Sequence, residues 1–348
     1  MLDILRQYEI EGLVYLKKHP KFDLYISKYT PKTQYECLWD EVTMAARGII
    51  LDSAGKVVAR PFTKFFNLEE IDSSEIEKRK NMDYEIYEKM DGSLGILYFH
   101  DDIPYIATSF GFSSEMAVHA TAILNERYSH IIPLLNRECT YLFEIIYPEN
   151  QIVVNYGQMN DIVLLAVIQT QTGEEIPMQS EYDRGITFNY LKPLNEFKNL
   201  SLTELKNLNI KNREGFIIRY ADGYRIKVKF EDYFRIHKIV TNMSDKNIFD
   251  VFVSGNKDEF YDLIGKIPDE FHKEFKGKYE AIENAYAEIE QKCLSICLTF
   301  KENNPNFVRK DAALHFREYG HLSPVLFLML DERDYRESIL NILKKQLL

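Results

Sequence analysis

Cysteine is scarce. Four residues, Cys37, Cys139, Cys293 and Cys297, occur in 348. They are too few and too scattered for a disulfide framework, and no CxxC pair exists to hold a structural zinc ion. Cys293 and Cys297 are four apart, which fits one buried face of a helix. This usage points to a reducing cytoplasm, a host's cytoplasm if the source is viral. Long apolar runs are also missing. The longest, Ile162 to Ile168, falls far short of the roughly 20 residues that span a bilayer, so no membrane association is expected. The opening residues Met1-Leu2-Asp3-Ile4-Leu5-Arg6 contain no basic stretch leading into an apolar one, hence no expected secretory signal. There is no internal repeat, no GxxxxGK[ST] phosphate loop and no HxxxH pair, which argues against a P-loop kinase and against histidine ligation of a metal. Positive charge is in deficit, with 43 Lys+Arg against 54 Asp+Glu and a net charge of −11. That argues against a protein that coats nucleic acid non-specifically, but not against an enzyme with a local basic cleft.

What is present is a globular composition, 45% hydrophobic and 13% aromatic, which is ample for a core. Residues 1–18 read as an amphipathic helix through Leu2, Leu5, Leu13 and Leu16. From Arg47 the pattern turns to short β-rich runs. A hairpin is expected where 47–51 and 56–60 flank Asp52-Ser53-Ala54-Gly55. Further strands are expected at 84–89, 93–99, 104–110, 140–147, 151–156, 161–169, 215–220 and 224–230, the last two joined by Ala221-Asp222-Gly223. Helices are expected at 114–127, about 180–190 and 201–208. Beyond about residue 235 helical spacing takes over, as in Tyr279, Ile282, Tyr286, Ile289, Cys293, Ile296 and Phe300. The expectation is an α+β domain over 1–235, of antiparallel sheets with flanking helices, and an all-helical domain over 236–348.

The chemistry starts at Glu88-Lys89-Met90-Asp91-Gly92-Ser93, where a strand delivers a lysine to a turn. Alone, this is as much a surface lysine beside a hairpin as a nucleophile. Glu144 interrupts the apolar strand Tyr141 to Tyr147, a costly place for a carboxylate unless it is paired or faces a cleft; a solvent-facing position remains open. Glu214-Gly215 opens another strand, and Lys227-Val228-Lys229 puts two lysines on one strand face, most often simply a solvated one. Together the set has a logic. A nucleoside triphosphate needs cations at its phosphates and carboxylates to hold a hydrated divalent metal. A nucleophilic lysine must also be neutral, which requires roughly 4–5 kcal/mol of differential interaction to bring its pKa near 7.

The order K-x-D-G, strand glutamate, E-G, K-x-K resembles the nucleotidyltransferase motifs of covalent ligases and capping enzymes. Ala46-Arg47-Gly48-Ile49, Arg60-Pro61-Phe62-Thr63-Lys64-Phe65-Phe66-Asn67 and Pro148 to Tyr156 narrow the resemblance to the bacteriophage tRNA-repair RNA ligases, RNA ligase family 1. The likeness covers about residues 40–235. It implies a ligase-type nucleotidyltransferase fold and an enzyme that uses ATP and Mg2+ or Mn2+. That enzyme adenylates its own lysine, moves the AMP to an RNA 5′-phosphate, and joins that end to a 3′-hydroxyl. By resemblance Lys89 is the nucleophile and Asp91 orients it, while Glu144 and Glu214 hold the hydrated metal. Lys227 and Lys229 contact the transferred phosphates, and Arg47 and Lys64 clamp the triphosphate. Phe66, Glu88, Gly92 and Ile217 belong to the nucleotide pocket, and Asp258 matches an acidic residue near the pyrophosphate's metal. Nicked tRNA as substrate, an end-healing kinase/phosphatase as partner, and a monomeric state are also implied. Two positions depart from the pattern: Phe110 stands where the family presents Lys or Arg, and Gln151 where it often has Arg. DNA ligases and capping guanylyltransferases share the catalytic motifs but continue into a small β-barrel, where this chain reads as helical. A non-catalytic RNA-binding relative is the remaining alternative.

Overall fold

Alternation of core and surface side chains builds most of the first part of the chain. The computed structural model describes residues 1–233, 245–266 and 272–347. They fall into two compact units, Met1–Thr241 and Asn242–Leu348. The boundary expected at 235/236 lies outside the described residues.

In the first unit the strands are β1 (Val14–Lys18), β2 (Leu24–Tyr29), β3 (Arg47–Asp52), β4 (Val57–Ala59), β5 (Phe66–Asn67), β6 (Tyr84–Lys89), β7 (Ser93–His100), β8 (Ile103–Thr108), β9 (Cys139–Ile146), β10 (Asp161–Gln169), β11 (Glu175–Ile176), β12 (Gly215–Tyr220) and β13 (Arg225–Lys229). They form three sheets, ordered β1-β2-β3-β4, β11-β10-β9-β7-β8 and β5-β13-β12-β6. The pairings are antiparallel except β5 with β13, which run parallel.

The middle sheet is covered on both faces, which is why β9 and β10 are apolar almost throughout. On one side Tyr141, Phe143, Ile145, Ile162 and Leu164 pack against Ala120, Ile123 and Leu124 of the helix Glu115–Arg127. On the other, Ile96, Tyr98 and Leu142 meet Leu24, Ile26, Ile50 and Ala59 of the first sheet. Burial of such side chains is worth about 1.5–3 kcal/mol each. The third sheet builds its own core from Ile86, Phe216, Ile218, Ile226 and Val228.

Several expectations change. The N-terminal helix stops at Ile10, because Gly12 adopts φ 72° and the chain turns into β1. Residues 151–156 form no strand; the amides of Val153 and Val154 bond to a side chain instead of a ladder. The helix expected over 180–190 is only Met178–Asp183, ended by Gly185 at φ 84°, and Ile186 and Phe188 then drop into the core as extended chain.

All assigned elements of the second unit are helical: Asp245–Ser254, Lys257–Lys266, His272–Asn303, Arg309–Arg317, Ser323–Leu330 and Arg336–Leu347, with a 3-10 turn at Gly320–Leu322. Cys293, Cys297 and Phe300 lie on the buried face of the long helix, with Phe316, Val325, Leu326, Ile339 and Leu343 also in the interior. The Cys297 thiol donates to the Leu326 carbonyl oxygen at 3.5 Å. No described helix is long and apolar enough to cross a membrane.

Candidate active site

Register assembles the site. In the third sheet Gly215 of β12 pairs with Lys89 of β6 on one side and with Lys229 of β13 on the other. One step of two residues along, Ile217 lies between Tyr87 and Lys227. Residues in register share a face, so Lys89, Lys227, Lys229 and Ile217 look the same way. Glu88 is on the opposite face of β6 and sits 3.8 Å from the Arg213 guanidinium. Phe66 of β5 pairs with Ile226, so by register it too lies on the face away from the lysines.

Glu214 precedes β12 and is 2% exposed. Its Oε2 lies 2.7 Å from Lys89 Nζ and its Oε1 lies 2.8 Å from Lys229 Nζ. The glycine that follows permits this. Gly215 has φ 153°, and a Cβ there would stand 2.0 Å from the Val228 carbonyl oxygen. Only a residue without a side chain lets β12 begin flush against β13.

After Lys89 the chain leaves the third sheet, turns through Met90-Asp91-Gly92 and enters the middle sheet as β7. Two carboxylates hold this turn. Asp91 is buried; its Oδ2 accepts from the amides of Val153 and Val154 at 2.8 Å each, and its Oδ1 accepts from the Tyr233 hydroxyl at 2.8 Å. The Asp91 amide donates to the Tyr156 hydroxyl at 2.8 Å. The Gly92 amide donates to Glu144 Oε1 at 3.0 Å, and a Cβ on Gly92 would come within 2.6 Å of the Ile145 carbonyl oxygen. Asp91 therefore fixes the turn that follows Lys89. Tyr156 and Tyr233 complete this device; Tyr156 ends the stretch from Pro148 that carries the family resemblance, whereas the sequence carried no signal for Tyr233.

The two glutamates differ electrostatically. Burial first, then the charges of Glu214 and Asp91, push the Glu144 carboxyl up to about 8, with Lys89 and the Gly92 amide only partly opposing. Burial also pushes Glu214 up, but the ammonium groups of Lys229 and Lys89 outweigh it and hold its pKa below the ordinary value. Among the described residues no three Asp, Glu, His or Cys side chains converge as a preformed metal cage. Asp258 lies in the second unit, exposed in the first turn of Lys257–Lys266, where its amide donates to Asn256 Oδ1 at 2.9 Å.

The upstream cations come from the first sheet and the segment after it. Between β2 and β3 the register slips so that Lys28 faces Arg47 and Gly48 bulges out at φ 108°. Arg47 Nη1 donates to the Thr63 carbonyl oxygen at 3.2 Å, and its guanidinium lies 5.2 Å from the Phe65 ring centroid. Lys227 Nζ lies 5.2 Å from the same ring. Lys64 is 3% exposed, and its Nζ sits 5.0 Å from Trp39, 5.2 Å from Tyr29 and 5.5 Å from Phe66. Such rings stabilise a desolvated cation through their quadrupoles. Sequence reasoning passed over Trp39, although it is the single tryptophan.

Known proteins bear on this geometry. An RNA ligase of Rhodothermus phage RM378 is 24% identical, the match covering 89% of this chain and 85% of the relative. A Thermovibrio ammonificans protein that also carries an RNA ligase name is 27% identical over 271 residues, 74% of this chain and 70% of the relative. Among solved structures, the Naegleria gruberi RNA ligase with pyrophosphate aligns at 20% identity and TM-score 0.43, covering 52% of this chain and 60% of that one. The family described as RNA ligase matches residues 45–241, more than half of the chain and the whole span from the Arg47 bulge to the K-x-K strand. With that match laid over a lysine, a shared glutamate and a second lysine locked in register, the chain belongs to the RNA ligase family.

Proposed function

We propose that this protein is an ATP-dependent RNA ligase that works through a lysyl-AMP on Lys89. The observation that carries the reading is the buried Glu214 carboxylate shared by Lys89 and Lys229 at 2.7 and 2.8 Å. It aims the attacking nitrogen and a phosphate-binding cation at one point. The nitrogen of neutral Lys89 attacks the α-phosphorus of ATP, an N–P bond forms, and the bond to the pyrophosphate oxygen breaks. Lys229 and Lys227 meet charge developing on the phosphoryl oxygens, and Arg47 and Lys64 hold the leaving pyrophosphate. An RNA 5′-phosphate oxygen then takes the AMP from Lys89. Attack by a 3′-hydroxyl on that phosphate releases AMP and seals the strand.

A divalent cation fits the site. Glu144 offers a hard oxygen whose only hydrogen-bond donor among the described residues is the Gly92 amide. Mg2+ or Mn2+ held by Glu144 and Glu214, largely through water, would neutralise phosphate charge. Structures of Naegleria gruberi RNA ligase variants with ATP and Mn support that choice of partners.

The finer reading concerns the substrate. The tRNA-repair ligases that the motifs resemble support a nicked tRNA with 5′-phosphate and 3′-hydroxyl ends, prepared by an end-healing kinase/phosphatase and sealed in the cytoplasm by a monomer. The helical unit would select the substrate, since the motif residues other than Asp258 lie in Met1–Thr241.

Incubation with labelled ATP and Mg2+ followed by a denaturing gel tests the chemistry. Wild type should retain label through denaturation. Lys89→Ala and Lys89→Arg should lose it by at least about 1,000-fold while keeping their fold, because arginine stays protonated. Robust labelling of either variant would remove Lys89 as the nucleophile.

A further inference from the structure

Outside the catalytic residues, one surface of the first unit combines cations with uncovered rings. Tyr15 of β1 faces Lys28 of β2, which in turn faces Arg47 of β3. Phe110, in the turn after β8, comes to this row from far along the chain. Lys28 Nζ lies 3.8 Å from its ring centroid, and Lys17 Nζ donates to its carbonyl oxygen at 3.0 Å. Both aromatics remain in water, Phe110 56% exposed and Tyr15 48%. Core packing does not account for a phenyl ring left open beside two ammonium groups.

The row continues into the site. Arg47 and Lys227 each lie 5.2 Å from the Phe65 ring, so cations and rings alternate through Tyr15, Lys28, Phe110, Arg47, Phe65 and Lys227. Lys17 and Arg47 direct hydrogen bonds to backbone carbonyl oxygens, of Phe110 and Thr63, and not to carboxylates. In a chain of net charge −11 this strip gathers Lys17, Lys28, Arg47 and Lys227. Rings that stack on any base, with cations spaced for the backbone, are the chemistry of single-stranded nucleic acid binding. An acidic peptide would use the cations and leave the rings without a role.

We infer that this strip is a track for single-stranded RNA: a base stacks on Phe110, Lys17 and Lys28 hold backbone phosphates, and the strand is led past Arg47 to Lys89. The inference rests on the ligase reading and adds where the RNA lies, on the sheet formed by β1 to β4.

The test uses the full-length protein and a 5′-phosphorylated single-stranded oligoribonucleotide with a blocked 3′ end. Affinity is measured by anisotropy across a salt series, beside lysyl-AMP formation from labelled ATP. Phe110→Ala should weaken RNA binding about tenfold, and Phe110→Trp should restore it. The double variant Lys17→Ala/Lys28→Ala should lower the slope of log affinity against log salt by about 1.4, two phosphate contacts on a single strand. Lysyl-AMP formation should stay within about twofold of wild type in all three. Unchanged affinity and slope in variants that adenylate normally would overturn the track and leave the ligase reading standing. Parallel loss of adenylation and binding would also overturn it, as a structural effect, and so would an acidic peptide competing as well as RNA. Absence of lysyl-AMP in wild type would instead defeat the ligase reading.

Discussion

Glu144 and Glu214 enter one site from different sheets, and the partners each finds set opposite charge behaviour. Glu214 is clamped by Lys89 and Lys229, and its depressed pKa means its stabilisation is present above the ordinary carboxyl range and lost as pH falls through the folded value. Glu144, pushed up to about 8, works the other way. Between its ordinary pKa and about 8 the folded protein holds a proton that the unfolded chain has released, so stability falls as pH rises through that window. In chelator, urea midpoints should decline with pH at no more than about 1.4 kcal/mol per unit from this group, and Glu144→Gln should flatten the decline. Added Mg2+ should flatten it too; an identical slope in Glu144→Gln would contradict the assignment. Asp91 invites a separate experiment, since its carboxylate accepts three hydrogen bonds. Asp91→Asn turns an amino group toward donors and should cost about 2 kcal/mol in urea unfolding, with adenylation down at least about tenfold. Tyr233→Phe removes one donor and should cost about 1 kcal/mol with milder loss of rate. Full adenylation by Asp91→Asn would show that the turn needs no such latch.

Two connections between elements carry the geometry: the turn from β6 to β7, which passes between sheets, and the start of β12 against β13. Gly215→Ala places a Cβ 2.0 Å from the Val228 carbonyl oxygen, so the strands must part where Glu214 enters. We expect about 3 kcal/mol or more of destabilisation and a sharp fall in adenylation. Gly223, in the hairpin after β12, has φ 82° but open space where a methyl group would stand, so Gly223→Ala should cost only about 1 kcal/mol of backbone strain and keep the activity. Equal effects of the two substitutions in urea unfolding and lysyl-AMP assays would mean that strand contact at Gly215 is not what matters.

At the level of the whole molecule, the family match ends at residue 241, where the first compact unit also ends. If the proposed tRNA-repair reading holds, a protein truncated after Thr241 should keep part of its self-adenylation and lose the full-length protein's expected preference for a nicked anticodon stem-loop over a generic single strand. The comparison is the ratio of sealing rates on those two RNAs. A soluble, adenylating truncation with the full-length ratio would refute a substrate-selecting role for the helical unit. Asp258→Ala in the full chain is the control: slower adenylation there would tie the second unit to the chemistry as well.

What the residues alone determined about this protein was local. K-x-D-G, E-G and K-x-K were legible because each is a strand end or a strand face within a few residues, and β6, β10 and β12 were bounded by their own apolar patterning, a continuous run in β10, and by turn signals. The long helix His272–Asn303 was legible for the same reason, through apolar positions at helical spacing. Tertiary structure decided the rest. β1 hid behind helical spacing in Leu13 and Leu16, because a short apolar interval fits either period until β2 pairs with it. Residues 151–156 looked like a strand, yet their amides went to Asp91, some 60 positions away, instead of to a neighbouring ladder. Glu88 and Lys89 are adjacent in the chain, and the pleat turned one to Arg213 and the other to Glu214. The meeting of Lys89 with Glu214 depends on register between β6 and β12, and that of Phe110 with Lys28 on the packing of two sheets, each between residues more than 75 positions apart. Local propensity cannot encode such a register, since only the closing of a shared core selects it.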